Sequence, residues 1–294
     1  MRSFASDNNS GVHPLVMEAL NRANIDHSLG YGDDKWTEEA VAKIKETFTP
    51  NCVPLFVFNG TGSNVVALQL MTRPYHSIFC AETAHIYVDE CGSPVKMTGC
   101  QIRPIATPDG KLTPELMQPY LHGFGDQHHS QPRALYISQC TELGTIYTPE
   151  ELKRLTDFAH LNGMYVHMDG ARIANACAAL NLSLKELTVY CGVDILSFGG
   201  TKNGLMMGEC VIVFNKDLQS EARFIRKQSA QLASKMRYLS CQFTAYLTDD
   251  LWLKNASHFY SKSREQPTIP HPAPPGYRPD AGVLFLLFLE RREG

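Results

Sequence analysis

Val193-Asp194-Ile195-Leu196-Ser197-Phe198-Gly199-Gly200-Thr201-Lys202-Asn203-Gly204 reads as a short apolar strand that runs into small, flexible residues and then presents a lysine. In α/β proteins the loop at the carboxyl end of a parallel strand is where ligands sit. Partial desolvation and a nearby cation are what let a lysine in such a loop attack an aldehyde. Taken alone, Lys202 has the plainer reading of a solvated loop lysine, because one motif by itself seldom carries a function.

Outward from this stretch, short apolar runs alternate with helical patterns. Runs at 53–58, 78–80, 134–138, 165–168, 194–198 and 211–214 predict strands, and apolar spacing at 14–23, 37–48, 65–71 and 149–162 predicts helices. Parallel strands need crossover connections, so the alternation indicates an α/β fold, a mostly parallel sheet between helices, in one large domain to about residue 215. Ala, Gln, Arg, Leu and Lys dominate 221–253, which predicts a long helix or helix pair leading out of that domain. The division expected is therefore 1–253 for the large domain with its trailing helix and 254–294 for an atypical C-terminal remnant. Prolines crowd 266–276, a density that excludes a regular helix or central strand.

Composition narrows the partners. With 294 residues, 44% hydrophobic and 19% charged, the chain can bury a sizeable core. A net charge of −3 supplies no global cationic field for nucleic acid or anionic lipid, which points to a small-molecule substrate. Nine scattered cysteines with no C-x-x-C pair fit reduced thiols in the cytoplasm. The segment 1–9 has no apolar signal core, and no apolar run reaches the roughly 20 residues that span a bilayer.

Three further motifs sit at strand ends. In Met164-Tyr165-Val166-His167-Met168-Asp169-Gly170-Ala171-Arg172, Asp169 reads either as a cap for the following helix or as the acid that keeps a pyridine nitrogen protonated. In Phe56-Val57-Phe58-Asn59-Gly60-Thr61-Gly62-Ser63-Asn64, a glycine-rich turn opens a helix; it is an ordinary capped turn or a phosphate site, and no lysine follows to make it a P-loop. In Ala84-His85-Ile86-Tyr87, His85 is a lone histidine that gains weight only from company, as a ring to lie on a cofactor and a group to carry a proton. His122, His128 and His129 lack a carboxylate or cysteine at ligand spacing, so the 121–131 loop reads as solvent-exposed and no metal is expected.

Together and in this order, these motifs resemble the low-specificity threonine aldolases of the aspartate-aminotransferase fold, from Ser6-Asp7 through Tyr31-Gly32-Asp33-Asp34, Gly60-Thr61-Gly62, Ala84-His85, 167–172 and Lys202 to about Leu253. The resemblance implies a pyridoxal 5'-phosphate enzyme in which Lys202 holds the cofactor as a Schiff base. Asp169 would pair with the ring nitrogen, His85 would stack on the ring, and Gly60, Thr61 and Gly62 would donate to the phosphate. Arg172 and Ser6 would bind the carboxylate of an amino-acid substrate, Arg172 through a two-pronged contact. It further implies a homo-oligomer, dimer or tetramer, with Tyr31 reaching a neighbouring subunit's site and Arg237 and Lys227 adding to the phosphate site across that interface. The activity implied is aldol cleavage of threonine to glycine and acetaldehyde.

Two departures stand out. Many relatives have Glu-Asn-Thr where this chain has Gln139-Cys140-Thr141, followed by Glu142. Relatives also continue into a small α/β domain with a second carboxylate-binding arginine, whereas here the proline-rich stretch follows about Ser257. The expectation is a truncated or altered small domain and impaired activity. Another β-eliminating lyase or an aminotransferase of the same fold, and a catalytically impaired homologue, are the competing readings.

Overall fold

The computed structural model describes residues 6–264. Its elements begin with α1 (Pro14–Ala23), α2 (Lys35–Thr47), β1 (Val53–Val57), α3 (Gly60–Met71), β2 (His76–Ala81), α4 (His85–Val88), α5 (Ser93–Thr98) and β3 (Gln101–Ile105). They continue with α6 (Pro114–Met117), β4 (Gln131–Ser138), α7 (Pro149–Leu161), β5 (Tyr165–Gly170), α8 (Ile173–Leu180), β6 (Ile195–Gly199) and β7 (Glu209–Val213). Three helices end the described chain: α9 (Ala222–Gln228), α10 (Arg237–Leu247) and α11 (Leu251–Arg264).

The strands form one seven-stranded sheet in the order β1-β7-β6-β5-β4-β2-β3. β7 alone runs antiparallel to its neighbours, so the other six share one direction. The cause is the length of the 200–208 connection, too short for the crossover that parallel neighbours require. Reversal places the first residue of β7, Glu209, in register with both Gly199 and Val57, at the same edge of the sheet as the carboxyl ends of the other strands.

Side chains alternate across this sheet with period two. On one face Leu135, Ile137, Val166, Met168, Leu196 and Phe198 enter the larger core with residues of α2, α7, α8, α10 and α11; Phe198 meets Phe48 edge-on at 5.4 Å. On the other face Ala134, Tyr136, Ile195 and Val211 pack with α3. α3 is apolar around most of its circumference, as befits a helix enclosed in the protein, and nine of its twelve residues are buried. It crosses the sheet over β4, β5, β6 and β7.

The helix predicted at 65–71 begins five residues earlier, at Gly60, where Asn59 caps it by accepting from Gly62 N. β3 went unseen in the sequence because its apolar content is low and it carries Pro104; as an edge strand paired only with β2, it tolerates that proline. The segment 221–253 is not one long helix. Ala230 at φ 59° separates α9 from α10, and Asp249 and Asp250 at φ 50° and 53° separate α10 from α11. α10 packs back on α1 and α2, with Ser240 Oγ 2.9 Å from Thr37 Oγ1. Residues 254–264 belong to α11, and the proline-rich stretch and the apolar run 283–289 lie outside the described residues.

Gly199 ends β6 against the chain that follows β5: a Cβ there would stand 2.5 Å from Ala171 Cα. Backbone cannot yield as a side-chain tip can, so Gly199→Ala is expected to cost about 1–3 kcal/mol or more from overpacking, read as a lower urea midpoint.

Candidate active site

The functional side chains meet at the sheet edge where six strands end and β7 begins. Strand register sets Ser138 opposite Asp169 and Asp169 opposite Ser197. All three share the α3 face, where Ser63 and Asn64 in the first turns of that helix reach Ser197 and Asp169. Ser63 Oγ donates to Ser197 Oγ at 2.7 Å, and Ser197 Oγ donates to Asn64 Oδ1 at 3.0 Å. Asn64 Nδ2 donates to Asp169 Oδ2 at 2.9 Å and to Glu90 Oε1 at 2.8 Å. His167 Nε2 lies 2.9 Å from Ser197 Oγ.

Asp169 also accepts from Tyr136 OH at 2.7 Å and from Ala171 N at 2.9 Å. Burial works to raise its pKa, but the Asn64 bond, the nearby His85 charge and these two donors outweigh it and hold the carboxyl below the usual aspartate range. His167 is the reverse case. Burial pushes it down to about 4, leaving the imidazole neutral.

His85 begins α4, and the ring is partly open to the cavity, with 37% of the side chain exposed. Its Nδ1 lies 2.9 Å from Glu90 Oε1, and this bond, working against burial, raises its pKa; Asp169 adds to the rise and Lys202 opposes it. The His85 backbone N–H is fixed by Glu142 Oε1 at 2.9 Å, an oxygen that also accepts from Ser138 Oγ at 2.6 Å. Burial raises the Glu142 pKa despite these donors.

Lys202 sits in a single 3-10 turn, Thr201–Asn203, between β6 and β7. Glu209 holds the start of that turn by accepting from Gly200 N at 2.9 Å, and Asn203 holds its end through Tyr246 OH and Trp252 O. Burial pushes the Glu209 carboxyl up to about 7.

Asn59 takes Gly62 N at 2.7 Å through its side chain and Ser63 N at 3.0 Å through its carbonyl. This leaves the Gly60 and Thr61 N–H groups without an acceptor among the described residues. Gly62, one of three glycine-turn donors expected from sequence, thus has its N–H committed to the cap. Its lack of a side chain serves packing instead, since a Cβ would stand 2.4 Å from the carboxamide of Gln231.

Arg172 makes a two-pronged ion pair, but with Asp7: Nε to Oδ2 at 2.7 Å and Nη2 to Oδ1 at 3.1 Å. Ser6 caps the short turn Asp7–Asn9 and accepts from Asn8 N. Tyr31 is 55% exposed and lies under the Lys227 ammonium at 5.5 Å, apart from the cavity wall. Arg237 points its guanidinium at the carbonyls of Ile25 and Asp26. In the 121–131 loop, His129 pairs with Asp126 and stacks edge-on with His122. Among the described residues no three His, Cys, Asp or Glu side chains converge to hold a metal.

A cavity of about 430 Å³ opens on this edge, lined by Gly60, Thr61, Asn64, His85, Asp169, Arg172, Lys202 and Glu209 among others. A larger groove, about 540 Å³, runs between α1, α2, α10 and α11; its charges belong to helix surfaces (Glu18, Arg22, Glu39, Lys254) and to the break between α10 and α11 (Asp249). The smaller cavity is where amine, acid and imidazole converge, and convergence of polar groups rather than volume marks a site.

Residues 3–266 match the beta-eliminating lyase family model. The chain belongs to the beta-eliminating lyase family. It is 43% identical over 258 residues to a low specificity L-threonine aldolase of Pseudomonas aeruginosa, covering 87% of this chain and 75% of that protein. A low specificity L-threonine aldolase of Saccharomyces cerevisiae is 33% identical over 223 residues, 72% of this chain and 54% of that one. Among solved structures, a threonine aldolase of Leishmania major superposes with a TM-score of 0.85 at 31% identity, covering 90% of this chain and 77% of that one. An aspartate aminotransferase of Thermus thermophilus, at TM-score 0.66 and 14% identity over 87% of this chain and 68% of that one, shares the fold. As in that neighbour, the fold of this family member is aspartate-aminotransferase-like, with a mixed, mostly parallel sheet between helices.

Sequence reading missed Asn64, Glu90 and Glu209. Glu209 had a signal: a charged residue opening an apolar strand at the edge where ligands sit. Asn64 and Glu90 had none, since their partners lie far away in sequence or beyond a tight turn.

Replacing Asn64 by Leu removes the shared donor of two buried carboxylates. Stranding a buried acceptor costs about 1–3 kcal/mol, more when it is charged, so Asn64→Leu is expected to lower the urea midpoint by at least that stability. The pH dependence of stability gives a second check. His167, with folded pKa about 4 against about 6.5 unfolded, contributes stability that is lost as pH falls through that window. Glu209, at about 7 against roughly 4.3 unfolded, contributes stability that is lost as pH rises through its window. Each is on the order of 3 kcal/mol, with opposite slopes. Between pH 5 and 6.5, His167→Gln should therefore lose stability more steeply with rising pH than the parent, and Glu209→Gln less steeply.

Proposed function

We propose that this chain is a pyridoxal-phosphate-dependent aldehyde-lyase that cleaves L-threonine and L-allo-threonine to glycine and acetaldehyde. The observation that carries the reading is the convergence of Lys202, Asp169 and His85 on one cavity, in a chain 43% identical to a low specificity L-threonine aldolase.

The cavity walls suit that cofactor. Lys202 offers an amine to an aldehyde, and the carboxylate of Asp169, held ionised, suits a protonated ring nitrogen. The unclaimed N–H groups of Gly60 and Thr61 open the N-terminus of α3, an electropositive end made for phosphate, and the place of a Gly60 Cβ is open space. When bound, the cofactor supplies an electron sink for the bond that breaks at the substrate's α-carbon. The protein's residues do the rest. Lys202 would hold the cofactor, Asp169 would keep a proton on its ring nitrogen, and His85 would face the ring. Arg172, kept in place by Asp7, and Ser6 receive the substrate carboxylate and so set which bond faces the sink. His85, or a water it positions, takes the proton from the β-hydroxyl at Nε2, the ring nitrogen that Glu90 does not use.

The chain is further assigned to a homo-oligomer in the cytoplasm. Phe58 and Met207, exposed at the cavity wall, are apolar surface that a neighbouring subunit would cover, and all nine cysteines are unpaired.

Mixed with pyridoxal phosphate, the purified chain is expected to show a visible absorbance band that Lys202→Ala lacks, and to release acetaldehyde and glycine from threonine. Pyruvate with ammonia, or a keto acid, as the product would replace this reading with elimination or transamination. His85→Phe keeps a flat ring without a proton-carrying nitrogen and is expected to lower kcat by roughly 10²–10⁴-fold.

A further inference from the structure

Glu90 is a fully buried carboxylate in the cavity wall to which the reaction outlined above gives no task. It lies just past α4, whose last turn, closed by Asp89 N donating to His85 O, brings Glu90 back beside His85, and it opens the turn that Cys91 at φ 49° and Gly92 at φ 71° complete, with Ser93 N donating to Glu90 O. One oxygen, Oε1, serves both His85 Nδ1 at 2.9 Å and Asn64 Nδ2 at 2.8 Å, while Oε2 has no hydrogen-bond partner among the described residues. A buried carboxylate with an idle oxygen is costly, and a turn could be held with less.

Asn64 explains how the arrangement stays fixed. Its two amide hydrogens go to Glu90 and Asp169, and its oxygen accepts from Ser197. A flipped carboxamide would set an oxygen against two carboxylates, so only one orientation fits. Glu90 is thereby held at one place and meets His85 with an acceptor. An acceptor can be met only by a hydrogen, which fixes one imidazole N–H at Nδ1 and turns the Nε2 lone pair to other partners.

We propose that Glu90 is the positioning residue for His85: it keeps a proton on Nδ1 at all working pH values, so that Nε2 is the one atom of the ring that gains and loses a proton. The use of that atom in cleavage rests on the function proposed above; the tautomer does not. Other charges that face His85 are Asp169 and Lys202, and Glu142 holds its backbone N–H, so Glu90 acts in a defined electrostatic setting. A merely structural Glu90, bracing the turn after α4, would leave the imidazole's titration alone.

The test is nitrogen NMR on the full 294-residue chain with labelled histidine, the His85 signal being identified by its loss in His85→Phe. The wild-type ring is expected to carry its proton on Nδ1 at alkaline pH and to titrate above the ordinary histidine value. In Glu90→Gln an acceptor remains but the charge is gone, so the midpoint should fall by about one unit or more. In threonine cleavage the acid limb of kcat/KM should move to lower pH by the same amount, because Nε2 accepts a proton only when free. A proton on Nε2 in the wild type, or a midpoint unchanged in Glu90→Gln, overturns the proposal. Should Glu90→Gln not fold, the wild-type tautomer decides alone. A chain that neither binds pyridoxal phosphate nor releases acetaldehyde would overturn the function while leaving both NMR results readable.

Discussion

The structure depends on burying one ionised carboxylate, Asp169, and on the hydrogen-bond accounting that burial forces. Asp169 is met by Asn64, Tyr136 and Ala171 N, and each neighbour's remaining valences then have to be satisfied in turn. Asn64 spends both amide hydrogens on carboxylates, so its oxygen must accept, and Ser197 spends its one hydroxyl hydrogen there. Ser63 and His167 can then only donate to Ser197, which fixes the hydrogen of His167 on Nε2 and leaves Nδ1 bare and unpartnered. The depressed pKa of His167 is the end of this sequence: a second proton would have no acceptor and no solvent. A single charge thus dictates a tautomer three side chains away.

Carboxyl groups are crowded at this edge: Asp169, Glu90, Glu142 and Glu209 all line the cavity, against Lys202, Arg172 and His85. Full ionisation of all four would be costly, and the protein relieves it unequally. Burial raises Glu142 and Glu209 toward their neutral forms, while Asp169 is held down by its donors. Arg172 is meanwhile paired with Asp7. The carboxyl held most firmly in its ionised form thus stands where the ring nitrogen of the proposed cofactor needs a charge.

How much of this was legible in sequence follows from the range of the interactions. Strands at 134–138, 165–168 and 194–198 declared themselves through apolar runs, and Lys202 and Asp169 through their place just past those runs. Parity along 165–169 also carried information, since His167 and Asp169 share a face opposite Val166 and Met168. What stayed hidden lacked a local signal. Ala230 adopts a left-handed φ without being glycine, so the break in 221–253 has no sequence mark. Gly62 looked like a phosphate donor because its reason for being glycine, the carboxamide of Gln231, arrives from 169 positions downstream. Asn64 reads as a polar helix residue until the sheet brings Asp169 beneath it. Asp7 gave no warning that it would take the fork of Arg172.

The site divides into two mechanical halves, and the division suggests where reaction choice resides. α3 is enclosed by the sheet, α5 and α9, and it carries the two unclaimed amides in its first turn and Ser63 and Asn64 just beyond. A helix packed on most sides moves as a rigid unit or not at all. That half faces Asp169 and Lys202, which are set by strand register and by the β6–β7 connection, and it belongs to the fold that an aspartate aminotransferase shares at 14% identity. The opposite wall is built otherwise: His85 starts a four-residue helix, Glu90 opens a tight turn, and Asp7 rides on a three-residue turn near the N-terminus. Short elements of this kind can be rebuilt without disturbing the sheet. Under the proposed function, grip on the cofactor is a property of the register and α3, whereas the bond to be cleaved and the proton to be moved are decided by how the short elements hold Arg172 and His85.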